Sequence, residues 1–187
     1  MQLKNQKQSY GWVSILLHWS IAVAVLGTFA LGLWMVELDY YSNWYHDAPN
    51  LHKSIGVFIV LFMFARFLWN QLNPKPEALT HSVTEKALAK AVHLLLYLLV
   101  LAIGVSGYLI STAESHPITV FNWFEIPAWL EPFEDQADIA GNVHQWLAYT
   151  LIGLVVLHAL AALKHHFINQ DSTFKRMLKP TLNKVTK

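Results

Sequence analysis

The chain has 187 residues, a net charge of +1, 55% hydrophobic residues and only 13% charged ones. An average soluble domain carries about a quarter charged residues, so this composition points to a chain solvated by lipid. With no cysteine, disulfides, iron–sulfur clusters, thiolate nucleophiles and covalent haem attachment through C-x-x-C-H are all excluded. The ten histidines and eight tryptophans are a heavy load for a chain of this length. Length alone predicts one domain, residues 1–187. Nothing in the composition points to nucleic acid.

The first residues are polar, with Lys4 and Lys7, and an almost unbroken apolar run follows over 15–36. A run of that length spans about 30 Å of hydrocarbon, and it is too long for a cleaved signal, with no small-residue cleavage site after it. His18 lies near its start. The stretch ELDYYSNWYHDAPN reads as an interfacial loop, its Tyr and Trp side chains at headgroup depth. Pro49 closes that loop, and a second span is expected over 52–69, opening on His52 and carrying Arg66 near its end. NPKPEALTHSVTEK is a polar, proline-bearing loop with Ser82 as the expected N-cap of the next helix. A third span is predicted over 91–111, with His93 near its start. The loop STAESHPITVFNWFEIPAWLEPFEDQAD is rich in aromatic side chains and is expected to lie on the membrane surface. A fourth span, 143–163, carries His144 and His158, and a basic tail follows from Lys164 to Lys187. The chain therefore reads as all-α, an integral membrane four-helix bundle.

Four spans put both termini on one side. That side collects Lys4, Lys7, Arg66, Lys75, Lys86, Lys90, Lys164, Lys175, Arg176, Lys179, Lys184 and Lys187, which is 12 of 13 basic residues, leaving only Lys53 opposite. The opposite loops hold nine of the 12 acids. By the positive-inside rule both termini are expected in the cytoplasm.

Orientation then assigns a depth to each histidine. His18 and His158 fall near the cytoplasmic edge, and His52 and His144 near the outer edge. His144 and His158 are 14 positions apart on one helix, so their side chains point the same way within about 40° and are separated by roughly 21 Å. An ionisable side chain in a span is costly and needs a function. Two pairs of equal depth match the need of a b-type haem for two axial nitrogens on facing helices. The predicted ligand pairs are thus His18 with His158 and His52 with His144, holding two non-covalent haems. Small residues beside them, Gly56, Ala159, Ala161 and Ala162, allow a flat macrocycle close approach. Arg66 is placed as a haem-propionate contact, against the competing reading of a snorkelling cation; Lys53 is a weaker counterpart at the outer layer. His93 has no partner at its depth and reads equally well as an interhelical contact. A colourless proton or metal carrier is the alternative in another class.

The strings SILLHWSIA, LHKSIG, VHQWLAY, LHALAALKHHFI and DSTFKRML resemble the bacterial cytochrome b561 family, over essentially the whole chain. The resemblance implies a four-helix, multi-pass protein of the bacterial inner membrane with two b haems on His18, His52, His144 and His158. It further implies electron transfer across the membrane with ubiquinone as the cytoplasmic-side partner and a periplasmic electron donor that the residues do not identify. One branch of the family oxidises superoxide at the outer side, and a haem-bearing anchor subunit of a larger dehydrogenase is a further alternative. Quinone reduction consumes protons, and His165, next to His166 at the end of the last span, is the first candidate donor, ahead of Ser14 and His93. His46 and His116, in the outer loops, are candidates for docking the electron donor. Nothing in the sequence sets the oligomeric state.

Overall fold

A computed structural model describes residues 1–80 and 82–180; Lys184 and Lys187 of the basic tail lie outside the described residues. Four helices are long and apolar enough to cross a membrane: α1 (Trp12–Met35), α2 (Asp47–Leu72), α3 (Val83–Ser111) and α4 (Gln136–Phe167). Except at the end of α1, which stops one residue short at Met35, they reach or exceed the hydropathy-derived spans by up to eight residues at an end, because hydropathy reads the thickness of hydrocarbon while the backbone stays helical into the headgroup region. α2 starts at Asp47, ahead of Pro49. Proline is tolerated there because first-turn N–H groups have no intrahelical acceptor.

α1 packs along α2 and α3 along α4. The α1–α4 flank is bridged by ring contacts, His18 to His158 and Phe29 to Tyr149. The buried apolar core is small: Ile59, Val100 and Leu151, with Val25, Ile55, Met63, Leu96, Leu99, Ile103 and Val155 against it. These positions have a common origin in spacing. Each helix repeats at seven residues: His18–Val25–Gly32, His52–Ile59–Arg66, His93–Val100–Gly107 and His144–Leu151–His158. Seven residues fall only about 20° short of two full turns, so each set keeps one face of its helix. Antiparallel packing then stacks three layers. The layer far from the termini holds Gly32, His52, Gly107 and His144; the middle layer holds Val25, Ile59, Val100 and Leu151; the layer near the termini holds His18, Arg66, His93 and His158.

The helix ends on the side of the termini are tied to one another. Ser82 Oγ accepts from the Glu85 backbone N–H at 3.3 Å, the expected N-cap of α3. Glu85 also pairs with Lys164 Nζ at 2.9 Å, joining the start of α3 to the end of α4 with charges that suit both helix dipoles. The N-terminal segment folds back on α1, with the Trp12 N–H donating to the Gln2 carbonyl at 2.9 Å. Only glycine fits at position 11, where a Cβ would run into the Leu3 carbonyl. Beyond α4, the chain turns back as a strap with a short 3-10 turn, Lys175–Met177. Trp19 Nε1 donates to the Met177 carbonyl at 2.6 Å and Arg176 Nη1 to the Glu77 carbonyl at 2.8 Å, so the strap crosses from α4 to α1.

The fold is mostly helical, with one departure from the all-α expectation. The aromatic loop between α3 and α4 contains a two-stranded antiparallel hairpin, β1 (Ile118–Val120) and β2 (Phe124–Ile126). Its three-residue strands are too short to give a period-two signal among so many prolines and aromatic residues.

Candidate functional site: two imidazole layers

At the layer far from the termini, the rings of His52 and His144 have centroids 6.1 Å apart. At the layer near the termini, His18 and His158 are 6.3 Å apart. A metal–imidazole bond is about 2 Å and the nitrogen lies roughly 1 Å from its ring centre, so two imidazoles facing across one metal sit about 6 Å apart. The structure brings together both couples that the depth argument paired, and it does so at that separation. Among the described residues no group of three or more His, Asp or Glu side chains converges as a metal site. A tetrahedral zinc centre, which needs more ligands at one point, therefore has no candidate there.

The surroundings fit a flat prosthetic group. His52 packs on the backbone of α1 at Gly32, where a Cβ would meet its Cε1 at 3.1 Å. His144 packs on α3 at Gly107, where the corresponding distance is 3.4 Å. Gly56 and Gly141, each on the histidine-bearing face of its helix, have no atom within 4 Å of where a Cβ would stand. Imidazole binds a metal through Nε2 when Nδ1 carries the proton and donates it elsewhere. His144 meets that condition: its Nδ1 is 3.2 Å from the Ile103 carbonyl and 3.1 Å from Ser106 Oγ. His52 differs. Its Nδ1 is buried without a hydrogen bond of good geometry, although the Thr28 backbone faces the ring.

The layer near the termini is more polar. Arg66 Nη1 donates to the Ser14 carbonyl at 2.8 Å, one turn before His18, and the guanidinium lies within electrostatic reach of His18, His93 and His158. An arginine has five N–H donors, so the bond to Ser14 leaves capacity for a carboxylate. Ser14 itself is buried and engaged, donating to Asn5 Oδ1 at 2.7 Å and accepting from Trp69 Nε1 at 3.0 Å. His93, for which sequence reasoning found no partner, lies against His158 with centroids 5.3 Å apart. That is too close for the two rings to face each other across one metal, and it matches a packed interhelical contact.

His165 sits just beyond this layer, with Nδ1 2.6 Å from Asp171 Oδ2 and 3.3 Å from Asn169 Nδ2. Burial alone would raise the Asp171 carboxyl. Hydrogen bonds from Thr173 and His165 outweigh it and hold the group below the ordinary carboxylate range. His166 turns instead into the strap, against Phe174 at 5.5 Å. On the opposite face, a cavity of about 570 Å³ is lined by Tyr45, His46, Asn50 and Lys53 among apolar neighbours. It adjoins His52 in sequence and contains the one basic residue that the charge pattern sets on that side. His116 is not part of it and lies 3.7 Å from Glu114, both side chains exposed. Sequence reasoning missed Gly32 and Gly107, whose only local signal is their place in the seven-residue repeat, and Ser106, which stands outside that repeat and carries no local signal.

Residues 9–180 match the family described as prokaryotic cytochrome b561. The chain is 51% identical over 179 residues to cytochrome b561 homolog 2 of Escherichia coli (strain K12), covering 95% of each. It is 27% identical over 165 residues to cytochrome b561 homolog 1 of the same organism, covering 88% of this chain and 93% of that one. It is 28% identical over 177 residues to the probable superoxide oxidase CybB of Yersinia pestis, covering 91% and 96%. A four-span bundle with paired imidazoles, matched along nearly its whole length, belongs to the prokaryotic cytochrome b561 family of haem-binding membrane cytochromes.

Proposed function

We propose that this protein is a di-haem cytochrome that carries electrons across the bacterial inner membrane and exchanges them with ubiquinone on the cytoplasmic side, where both termini lie. The observation that carries the reading is the presence of two imidazole couples, at 6.1 Å and 6.3 Å, one at each end of the bundle. When bound, a bis-histidine b haem supplies a one-electron carrier with no open coordination position, which favours outer-sphere transfer. His52 and His144 would hold one such group and His18 and His158 the other. The Ile103 carbonyl and Ser106 orient His144. Arg66 offers its remaining donors to a propionate at the inner layer. Val25, Ile59, Val100 and Leu151 keep water out between the layers.

Ubiquinone takes up protons as well as electrons. The Asp171 carboxylate fixes the His165 ring through Nδ1, leaving Nε2 to deliver a proton at the cytoplasmic edge. The test is haem stoichiometry with redox-difference spectra. His52→Ala or His144→Ala should lose about one haem equivalent, and His18→Ala or His158→Ala the other. Loss of both from a variant that keeps its helical content, or loss of neither, would reject the pairing.

A second reading concerns the outer donor. The cavity at the start of α2, with Lys53, His46 and Asn50 in its wall, suits a small anion, and one relative is named a probable superoxide oxidase. Superoxide as donor predicts fast reduction of the outer haem on rapid mixing, slowed by Lys53→Ala. Reduction no faster than in a His52→Ala variant would remove this reading.

A further inference from the structure

We propose that the β1–β2 hairpin is a membrane-inserted element whose tip lies among the lipid acyl chains of the leaflet opposite the termini. The proposal is independent of haem. The hairpin has two unlike faces. Ile118 pairs with Ile126 and Val120 with Phe124, and Ile118 and Val120 are buried. On the other face Thr119 stands opposite Glu125, both exposed. Two consecutive left-handed residues, Phe121 (φ 49°) and Asn122 (φ 58°), make the turn. A bulky residue seldom adopts that conformation, and here it swings the tip down onto α2.

The depth of the tip follows from what it touches. Phe121 and Trp123 pack on Phe58, at ring distances of 5.7 Å and 6.1 Å, and Phe58 continues to Phe62 at 6.0 Å. Lys53 and Ser54 are the last polar side chains on α2 before an unbroken apolar run over 55–65. Phe58 is four residues beyond Ser54, about 6 Å deeper. The aromatic tip therefore sits inside the polar boundary, yet Trp123 is 74% exposed and Phe124 43%. This ring surface is continuous with the spanning surface of α2, where lipid is the solvent.

Two of the three backbone N–H groups of the turn have acceptors suited to such a place. A bare N–H group in hydrocarbon is costly, and the Phe121 N–H donates to Ser54 Oγ at 3.0 Å while the Trp123 N–H donates to the Val120 carbonyl at 2.8 Å. Ser54 Oγ in turn donates to the Asn50 carbonyl at 2.8 Å. The hairpin thus anchors the start of α2, two residues from His52, to the bilayer.

The natural chain has no cysteine, so single cysteines report cleanly. Full-length Trp123→Cys and Thr119→Cys would be spin-labelled, reconstituted into phosphatidylcholine–phosphatidylglycerol vesicles, and relaxed with oxygen and with a water-soluble nickel chelate. The label at 123 should be relaxed strongly by oxygen and several-fold less by nickel than the label at 119. Equal nickel access at the two sites would place the tip in water and overturn the proposal. Shielding at 123 from both reagents would mean a protein partner or a second copy covers it, and would overturn it equally. If Trp123→Cys loses helical content, Phe124→Cys, on the apolar face, carries the same two outcomes.

Discussion

Gly32→Ala tests the layer far from the termini through a single added methyl group. The new Cβ would stand 3.1 Å from His52 Cε1 and 3.6 Å from its Nδ1, whereas carbon atoms prefer separations of about 3.5–4.0 Å. The ring must retreat by several tenths of an ångström, but withdrawal carries it away from a centroid separation of 6.1 Å that already suits one shared metal. Overpacking of this kind costs about 1–3 kcal/mol, equivalent to roughly 5- to 150-fold weaker loading of the haem proposed for His52 and His144 at about 1.4 kcal/mol per tenfold. Gly107→Ala, with its Cβ at 3.4 Å from His144 Cε1, should cost markedly less. Gly27 is exposed and has open space around it. Gly27→Ala should therefore leave loading unchanged and gain up to about 1 kcal/mol in helix propensity. The assay is haem per protein by absorbance, with a redox titration resolving the two centres. The expected order of loss is position 32, then 107, then 27, confined to one transition. Equal loading in all three variants, or loss of a transition that follows His18 and His158 instead, would refute the packing argument.

Ser106→Ala removes the hydroxyl 3.1 Å from His144 Nδ1 while the Ile103 carbonyl remains. Haem content should stay intact while the low-spin electron paramagnetic resonance signal and midpoint potential of the haem proposed for His144 shift; an unchanged signal would deny Ser106 a role in orienting the ring. His165→Ala should keep both haems and slow reoxidation by ubiquinone at least several-fold, measured by stopped flow, and a wild-type rate would reject it as the proton donor. The Asp171 carboxyl is held below its ordinary range, so its stabilisation of the strap is present above the usual carboxylate pKa and lost as pH falls through the depressed value. Hydrogen-exchange protection over 168–178 should fall across that acid window, and in Asp171→Asn it should be low throughout. A strap equally protected in both proteins would remove the Asp171 contact as its fastening.

Four spans were legible in the sequence because hydropathy is a local property and lipid thickness sets its length scale. That His52 would come to His144 and His18 to His158 was legible too, since 14 residues along α4 set its two imidazoles at different heights on one face. What the chain could not announce locally is which backbone each imidazole rests on. Gly32 and Gly107 are ordinary helix glycines until antiparallel packing brings His52 and His144 against them. His93 likewise acquires a neighbour in His158 only when α3 lies along α4. The hairpin was invisible for the opposite reason: its strands are short, and its conformation depends on contacts with Ser54 and Phe58 more than sixty residues earlier. Spacing along a helix is written into the chain, whereas contacts between helices exist only once the bundle has closed around them.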